Sequence, residues 1–110
     1  MKKLTINEQI FLIAICHLND EAYGVKIREK IMELTGSEML FGTIYNTLEY
    51  LVRKEYVTAL KGKTSHNKDD NKRVYYRVTD HGQRALQEAR ELQNNLWQNF
   101  PERELREIKR

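Results

Sequence analysis

The chain has 110 residues, of which 40% are apolar and 32% charged, enough apolar material for one modest core and too much for a disordered chain. Its longest apolar run, Ile10 to Cys16, is far shorter than the roughly 20 residues a membrane span needs. No cleavage-site pattern follows that run, so neither a span nor a signal peptide is expected, and the single cysteine, Cys16, leaves no internal disulfide to form and fits a reducing cytoplasm.

The net charge of +3 is unevenly placed. Residues 61–77 carry six Lys or Arg against two Asp, net +4, whereas residues 1–60 carry −1 and residues 78–110 balance. A basic excess confined to one short segment points to an anionic partner.

Thr5-Ile6-Asn7-Glu8 has the pattern of a capping box, and the helix it opens is expected to run to about Leu18. Ile10, Phe11, Leu12, Ile13, Ala14, Ile15 and Cys16 make that helix apolar all round. Such a helix is buried on most sides, by other subunits as well as its own chain, with Ile10 and Ile13 as dimer contacts and Cys16 as a buried structural thiol. A turn at residues 19–22 leads into a second helix, Tyr23 to Leu34. Val25, Ile27, Ile31, Met32 and Leu34 supply its apolar side, and Gly36 stops it. Gly24 lies too near the start to break the helix and suggests close backbone approach near Tyr23.

The third helix begins at Gly42-Thr43-Ile44-Tyr45-Asn46-Thr47-Leu48 and ends near Lys54-Glu55. Ile44, Leu48, Leu51 and Val52 form one stripe. Thr43, Tyr45, Asn46 and Tyr50 lie on the other face, where hydroxyls and amides suit phosphates and base edges better than they suit helix stability. An ordinary amphipathic helix with a polar start has the same pattern. The preceding helix and turn complete a helix-turn-helix. Two strands follow, residues 56–61 and 73–78, both rich in β-branched and aromatic residues. The polar loop between them is basic, and together they make a wing, with Lys61, Lys63, Lys72 and Arg73 placed to neutralise phosphates. Of the adjacent Tyr75 and Tyr76, one faces the core and one faces out.

Thr79 or Asp80 caps a last helix. Ala85, Ala89, Leu92 and Leu96 recur along it as a coiled-coil-like seam, widened by Leu86, Trp97 and Phe100 and ended by Pro101. Residues 102–110 alternate charges around Leu105 and Ile108 and are expected to add at most one frayed turn. The fold class is therefore mainly α with a small β-hairpin. Residues 1–78 form a winged helix-turn-helix DNA-binding domain, and residues 79–110 a dimerisation helix and tail.

With the wing identified, the chain resembles the PadR-like winged-helix transcriptional regulators. Four motifs carry the resemblance: Ala22-Tyr23-Gly24-Val25-Lys26-Ile27; Gly42 to Leu48 followed by Leu51 and Lys54-Glu55-Tyr56-Val57; Lys72-Arg73-Val74-Tyr75-Tyr76-Arg77-Val78-Thr79; and Thr79-Asp80-His81-Gly82. The motifs run from Ala22 to Gly82, and the resemblance covers residues 4 to about 97. Asn46 stands where the family usually has proline, and Glu49 and Tyr50 where it often has Lys or Arg. The resemblance implies a homodimeric bacterial repressor with double-stranded DNA as partner. It also implies membership of the small subgroup with one dimerisation helix. Some of that subgroup bind flat aromatic compounds between the subunits beside a tryptophan of the last helix, where Trp97 stands. Packing in the core or dimer without a ligand is the safer reading of Trp97, with a ligand platform as the other.

No metal or other cofactor is expected. His17, His66 and His81 have no ligand-spaced partner, Asp69-Asp70 reads as a solvated loop, and neither a phosphate loop nor a serine nucleophile motif is present. The chain is expected not to be an enzyme. The competing reading is a winged-helix protein-interaction module, which would carry an apolar wing. An RNA-binding module would need stacking aromatics on a sheet, whereas Tyr45 and Tyr50 lie on a helix.

Overall fold

The computed structural model describes residues 3–62, 73–101 and 103. Four helices and one hairpin follow in order among them: α1 (Ile6–Leu18), a 3-10 turn (Asn19–Glu21), α2 (Gly24–Thr35), α3 (Phe41–Arg53), β1 (Val57–Lys61), β2 (Val74–Val78) and α4 (Asp80–Gln98). The architecture is mostly helical with an antiparallel hairpin, a winged helix.

α1 begins where its capping box places it. Glu8 N–H donates to Thr5 Oγ1 at 3.1 Å, and Thr5 N–H donates to Glu8 Oε1 at 2.7 Å. The reciprocal bonds satisfy two helix-end donors and let the Glu8 carboxylate sit in a buried position. Phe11, Leu12, Ala14 and Ile15 of α1 meet Ile27 and Ile31 of α2 and Ile44, Leu48 and Leu51 of α3 in a single core, closed by Tyr56, Val57, Tyr76 and Val78 of the wing base. At about 1.5–3 kcal/mol per fully buried aliphatic or phenylalanine side chain, this cluster is what holds the three helices in register.

α1 is less enclosed than its composition predicts. Ile13 and Cys16 are exposed, so the expectation of a buried cysteine is corrected. The chain's own helices cover only one side of α1, and the apolar residues on the far side are left in solvent. The apolar side of α2 is likewise only partly covered. Ile27 and Ile31 are buried, but Val25, Met32 and Leu34 remain exposed. Gly36 ends α2 as expected, in a left-handed conformation (φ 74°) with its N–H donating to the Met32 carbonyl at 2.8 Å.

α3 ends through a left-handed Glu55 (φ 64°), which lets Tyr56 N–H reach back to the Leu51 carbonyl at 3.0 Å and starts β1 immediately. β1 and β2 pair with Val57 opposite Val78 and Lys61 opposite Val74. The sheet has a further contact that the sequence reading lacked. Tyr23 forms an antiparallel bridge with Tyr75, and Tyr76 N–H donates to the Ala22 carbonyl at 2.8 Å. The lead-in to α2 thus lies along the outer edge of β2 and ties the wing to the helix-turn-helix. Thr79 caps α4, accepting from Gly82 N–H at 3.0 Å and donating to the Glu55 carbonyl at 2.7 Å. α4 stops at Gln98 with Asn99 as its cap, just before Pro101. The loop expected between the strands, apart from Gly62, and the tail from residue 102, apart from Arg103, lie outside the described residues.

Candidate nucleic-acid interface

α3 turns Ile44, Leu48 and Leu51 into the core, and its opposite face carries Thr43 and Asn46, both exposed. Tyr50 is half-buried, with Lys54 Nζ 5.7 Å from its ring centre. No acidic residue occupies the first turn of α2 or of α3, so neither helix start repels an anion.

Tyr45 projects from α3 towards the start of α2. Its ring lies so close to Gly24 that a Cβ there would sit 2.6 Å from Tyr45 Cζ and nearer still to the hydroxyl. The close approach expected at Gly24 is therefore made by Tyr45 of α3, and not by backbone near Tyr23. Tyr45 also stacks on Phe41, centroids 6.4 Å apart and planes 23° from parallel.

Tyr23 joins this group from the other side. Its ring meets Tyr75 edge-on at 5.5 Å, and the Arg73 guanidinium lies 4.3 Å above it. A guanidinium held on a tyrosine face gains cation–π stabilisation and keeps its fork directed. Arg73 is also fixed at the backbone, where its carbonyl accepts from Gly62 N–H at 2.8 Å. Tyr23, Gly24, Val25, Tyr45, Arg73, Val74 and Tyr76 together line one open pocket. Three elements distant in sequence thus place three phenols and one guanidinium in a single concavity. The Tyr76 hydroxyl is pushed above its ordinary pKa by burial, then by Tyr45 and Glu49 nearby, so it stays a neutral hydroxyl across physiological pH. Of the adjacent tyrosines, Tyr76 is the buried one and Tyr75 the half-buried one.

Lys61 is exposed at the end of β1, opposite Val74. Lys63 and Lys72, expected beside it, lie outside the described residues. On the far side of the molecule, Ile10, Ala85 and Ala89 are half-buried, whereas Ile13, Leu92, Leu96 and Trp97 are exposed. Trp97 touches Phe100 at 5.3 Å. The structure therefore separates the sequence-assigned residues into two groups, one around α2, α3 and the wing, the other along α1 and α4.

Two residues enter the first group that sequence reasoning did not select. Arg28 places its guanidinium 4.5 Å over the Phe41 ring while donating from Nε to the Met39 carbonyl at 2.6 Å and pairing with Glu38. The available signal was an arginine on α2 one turn from Gly24 and a phenylalanine opening α3. Their meeting depends on the crossing of two helices, which a single sequence does not encode locally.

A helix-turn-helix whose wing is stitched to its second helix defines the class: a winged helix-turn-helix protein. The chain belongs to the PadR-like family of transcriptional regulators, whose family model matches residues 13–88. It is accordingly a DNA-binding transcriptional regulator and not an enzyme.

Solved structures share the fold. hsRosR, described in a complex structure, matches with a TM-score of 0.69 and 24% identity, over 96% of this chain and 84% of that one. A transcriptional regulator from Clostridium thermocellum matches with 0.63 and 21%, over 88% of this chain and 97% of that one. The PcaV transcriptional regulator from Streptomyces coelicolor, described in complex with its natural ligand, matches with 0.60 and 18%, over 94% of this chain and 69% of that one. No curated protein sequence matches the chain. Among the described residues no helix is long and apolar enough to cross a membrane.

Proposed function

We propose that the chain is a homodimeric repressor that binds a palindromic operator and is released by a flat aromatic ligand held between its subunits. Residues 1–78 serve as the DNA-binding unit and residues 79–110 as the dimerisation unit. Tyr23, Thr43, Tyr45, Asn46, Tyr50, Lys61, Lys63, Lys72 and Arg73 face the duplex. Helix α3 enters the major groove, and the wing and the Tyr23–Arg73 pair meet phosphates.

The observation that carries this reading is where the exposed apolar side chains lie. The first half of α4 packs Ala85, Leu86 and Ala89 on the chain's own core. Its second half leaves Leu92, Leu96 (57% exposed) and Trp97 (59% exposed) in solvent, and Ile13 of α1 is exposed as well. An apolar stripe that changes from covered to bare along one helix is what an isologous twofold contact would complete. Grooves flank α4 on both sides. One, of about 420 Å³, runs between the start of α1 and Ala85, Ala89 and Leu92. The other is lined by Ile13, Cys16, Leu86 and Arg90. A partner's α4 fits such a groove, and it would bring the two copies of Trp97 towards the twofold axis.

The ligand reading is supported by the exposure of Trp97 and by the bound natural ligand of PcaV. A ligand between the subunits induces only if it favours one spacing of the two α3 helices over another. The repressor reading is supported by the family.

Leu92→Asp tests the proposal. The wild type should sediment as a dimer, bind duplex DNA and show quenching of its single tryptophan by planar cationic dyes. Leu92→Asp should be monomeric and lose all three behaviours. A variant that stays dimeric removes the α4 seam from the account, and a wild type unquenched by any planar compound returns Trp97 to packing alone.

A further inference from the structure

We infer that the first turn of α3 reads the C5-methyl groups of thymine through Leu40 and Phe41. The inference rests on the DNA-binding reading above and names what that helix start recognises. α1 and α4 each open on a threonine whose hydroxyl accepts from the first turn. α2 and α3 open without a side-chain cap, on Tyr23 and Leu40, although Ser, Thr, Asp or Asn is the stabilising choice at that position, and of these two residues Leu40 has no polar atom on its side chain. Leu40 is also 78% exposed, the highest value among the exposed large apolar side chains of the described residues, and Phe41 beside it is 43% exposed.

Phe41 is held in place. Arg28 lies over its ring and is itself anchored to the Met39 carbonyl and the Glu38 carboxylate, and the Tyr45 ring stacks against it. The chain has therefore given up a helix cap and fixed an apolar edge in solvent at the point where a recognition helix enters the major groove. Thymine is the base whose major-groove edge offers a methyl group, and apolar side chains are its complement. Thr43 and Asn46, within two turns further along the same helix, supply the polar contacts that a base pair also needs. A second protein is a weaker fit, because the apolar edge is flanked by the Tyr23, Tyr45 and Arg73 concavity and lacks the breadth of a protein-docking face.

The test uses the full chain and a duplex selected by it from a random library, then amplified with either dTTP or dUTP. Uracil differs from thymine only by the methyl. Burying one methyl is worth about 0.8 kcal/mol, or roughly a fourfold change in affinity, so the wild type should bind the uracil duplex about fourfold more weakly for each methyl contacted. Phe41→Ala and Leu40→Ser should each discriminate less between the two duplexes, and the double variant should bind them alike. Leu40→Ser should at the same time melt at or above the wild-type temperature, because it restores a cap; a merely structural role for Leu40 would lower it. Equal wild-type affinity for both duplexes overturns the inference and leaves DNA binding intact. Undiminished discrimination by both variants also overturns it. A wild type that selects no duplex overturns the DNA-binding reading and this inference together.

Discussion

Two buried glycines open helices in this chain, and substituting each by alanine should have opposite consequences. Gly82 is the third residue of α4, with its N–H committed to Thr79 Oγ1. A Cβ there would stand 2.8 Å from Val78 Cγ1 and closer still to the Tyr56 carbonyl oxygen. That carbonyl accepts from Thr79 N–H at 2.9 Å and belongs to a buried residue at the base of the wing. It cannot retreat without opening the α3–β1–α4 junction. Overpacking costs about 1–3 kcal/mol, and the better helix propensity of alanine returns roughly 0.5–1 kcal/mol. Because the clash is with backbone, Gly82→Ala should lose about 1–2 kcal/mol net, a melting shift of roughly 5–15 °C at fixed protein concentration. At Gly24 the colliding atoms are the far end of Tyr45, a side chain that is 44% exposed and can swing out at the loss of its stacking on Phe41. Gly24→Ala should therefore remain within about 1 kcal/mol of the wild type and still bind DNA less tightly, since Tyr45 has left the concavity. Urea unfolding and fluorescence anisotropy on a labelled duplex read the two quantities separately. A Gly82→Ala protein as stable as the wild type, or a Gly24→Ala protein as destabilised as Gly82→Ala, would refute the packing argument.

Three further expectations concern the interface and the bare face of α1. Replacing Lys61 and Arg73 with alanine should weaken binding to all sequences alike and flatten the slope of log K against log salt by roughly 0.9 per lost phosphate contact; an unchanged slope would remove the wing from the backbone. Asn46→Ala should cost about 1–3 kcal/mol on the selected operator and little on random duplex, because an amide pairs with adenine in the major groove; equal losses on both would make Asn46 a positioning residue. Partial burial raises the Cys16 thiol above its ordinary pKa although the residue is exposed, so its thiolate is scarcer at pH 7 than that of a free thiol, and reaction with Ellman's reagent should be slower than for a cysteine peptide. Reaction should accelerate as pH rises, and a rate at pH 7 matching the peptide would contradict the sheltering.

The parts of the fold legible in the sequence are those fixed by local pattern. The Thr5–Glu8 box, the Ile44–Leu48–Leu51 stripe, the glycine stop at Gly36 and the two wing strands each depend on residues a few positions apart. What the sequence hid depends on contacts between distant elements. Tyr23 pairs with Tyr75 through a single bridge, which has no periodicity to detect, and Tyr45 reaches Gly24 across a helix crossing. The exposure of Cys16, expected to be buried, and of Val25, Met32 and Leu34 on the apolar side of α2 has one cause. An apolar face announces that something covers it, but its pattern does not say whether that is the same chain or another. The resemblance to PadR-like regulators, read from four motifs, identified the family that the match over residues 13–88 establishes.

Footprinting on the selected operator tests the central claim most directly. A twofold dimer sets its two α3 helices about one DNA turn apart, roughly 34–36 Å. Hydroxyl-radical protection should then show two symmetric half-sites whose centres lie about 10–10.5 base pairs apart, or a multiple of that, with each half-site lost on Asn46→Ala. A single asymmetric footprint, of one half-site occupied by one chain, would contradict the homodimeric account.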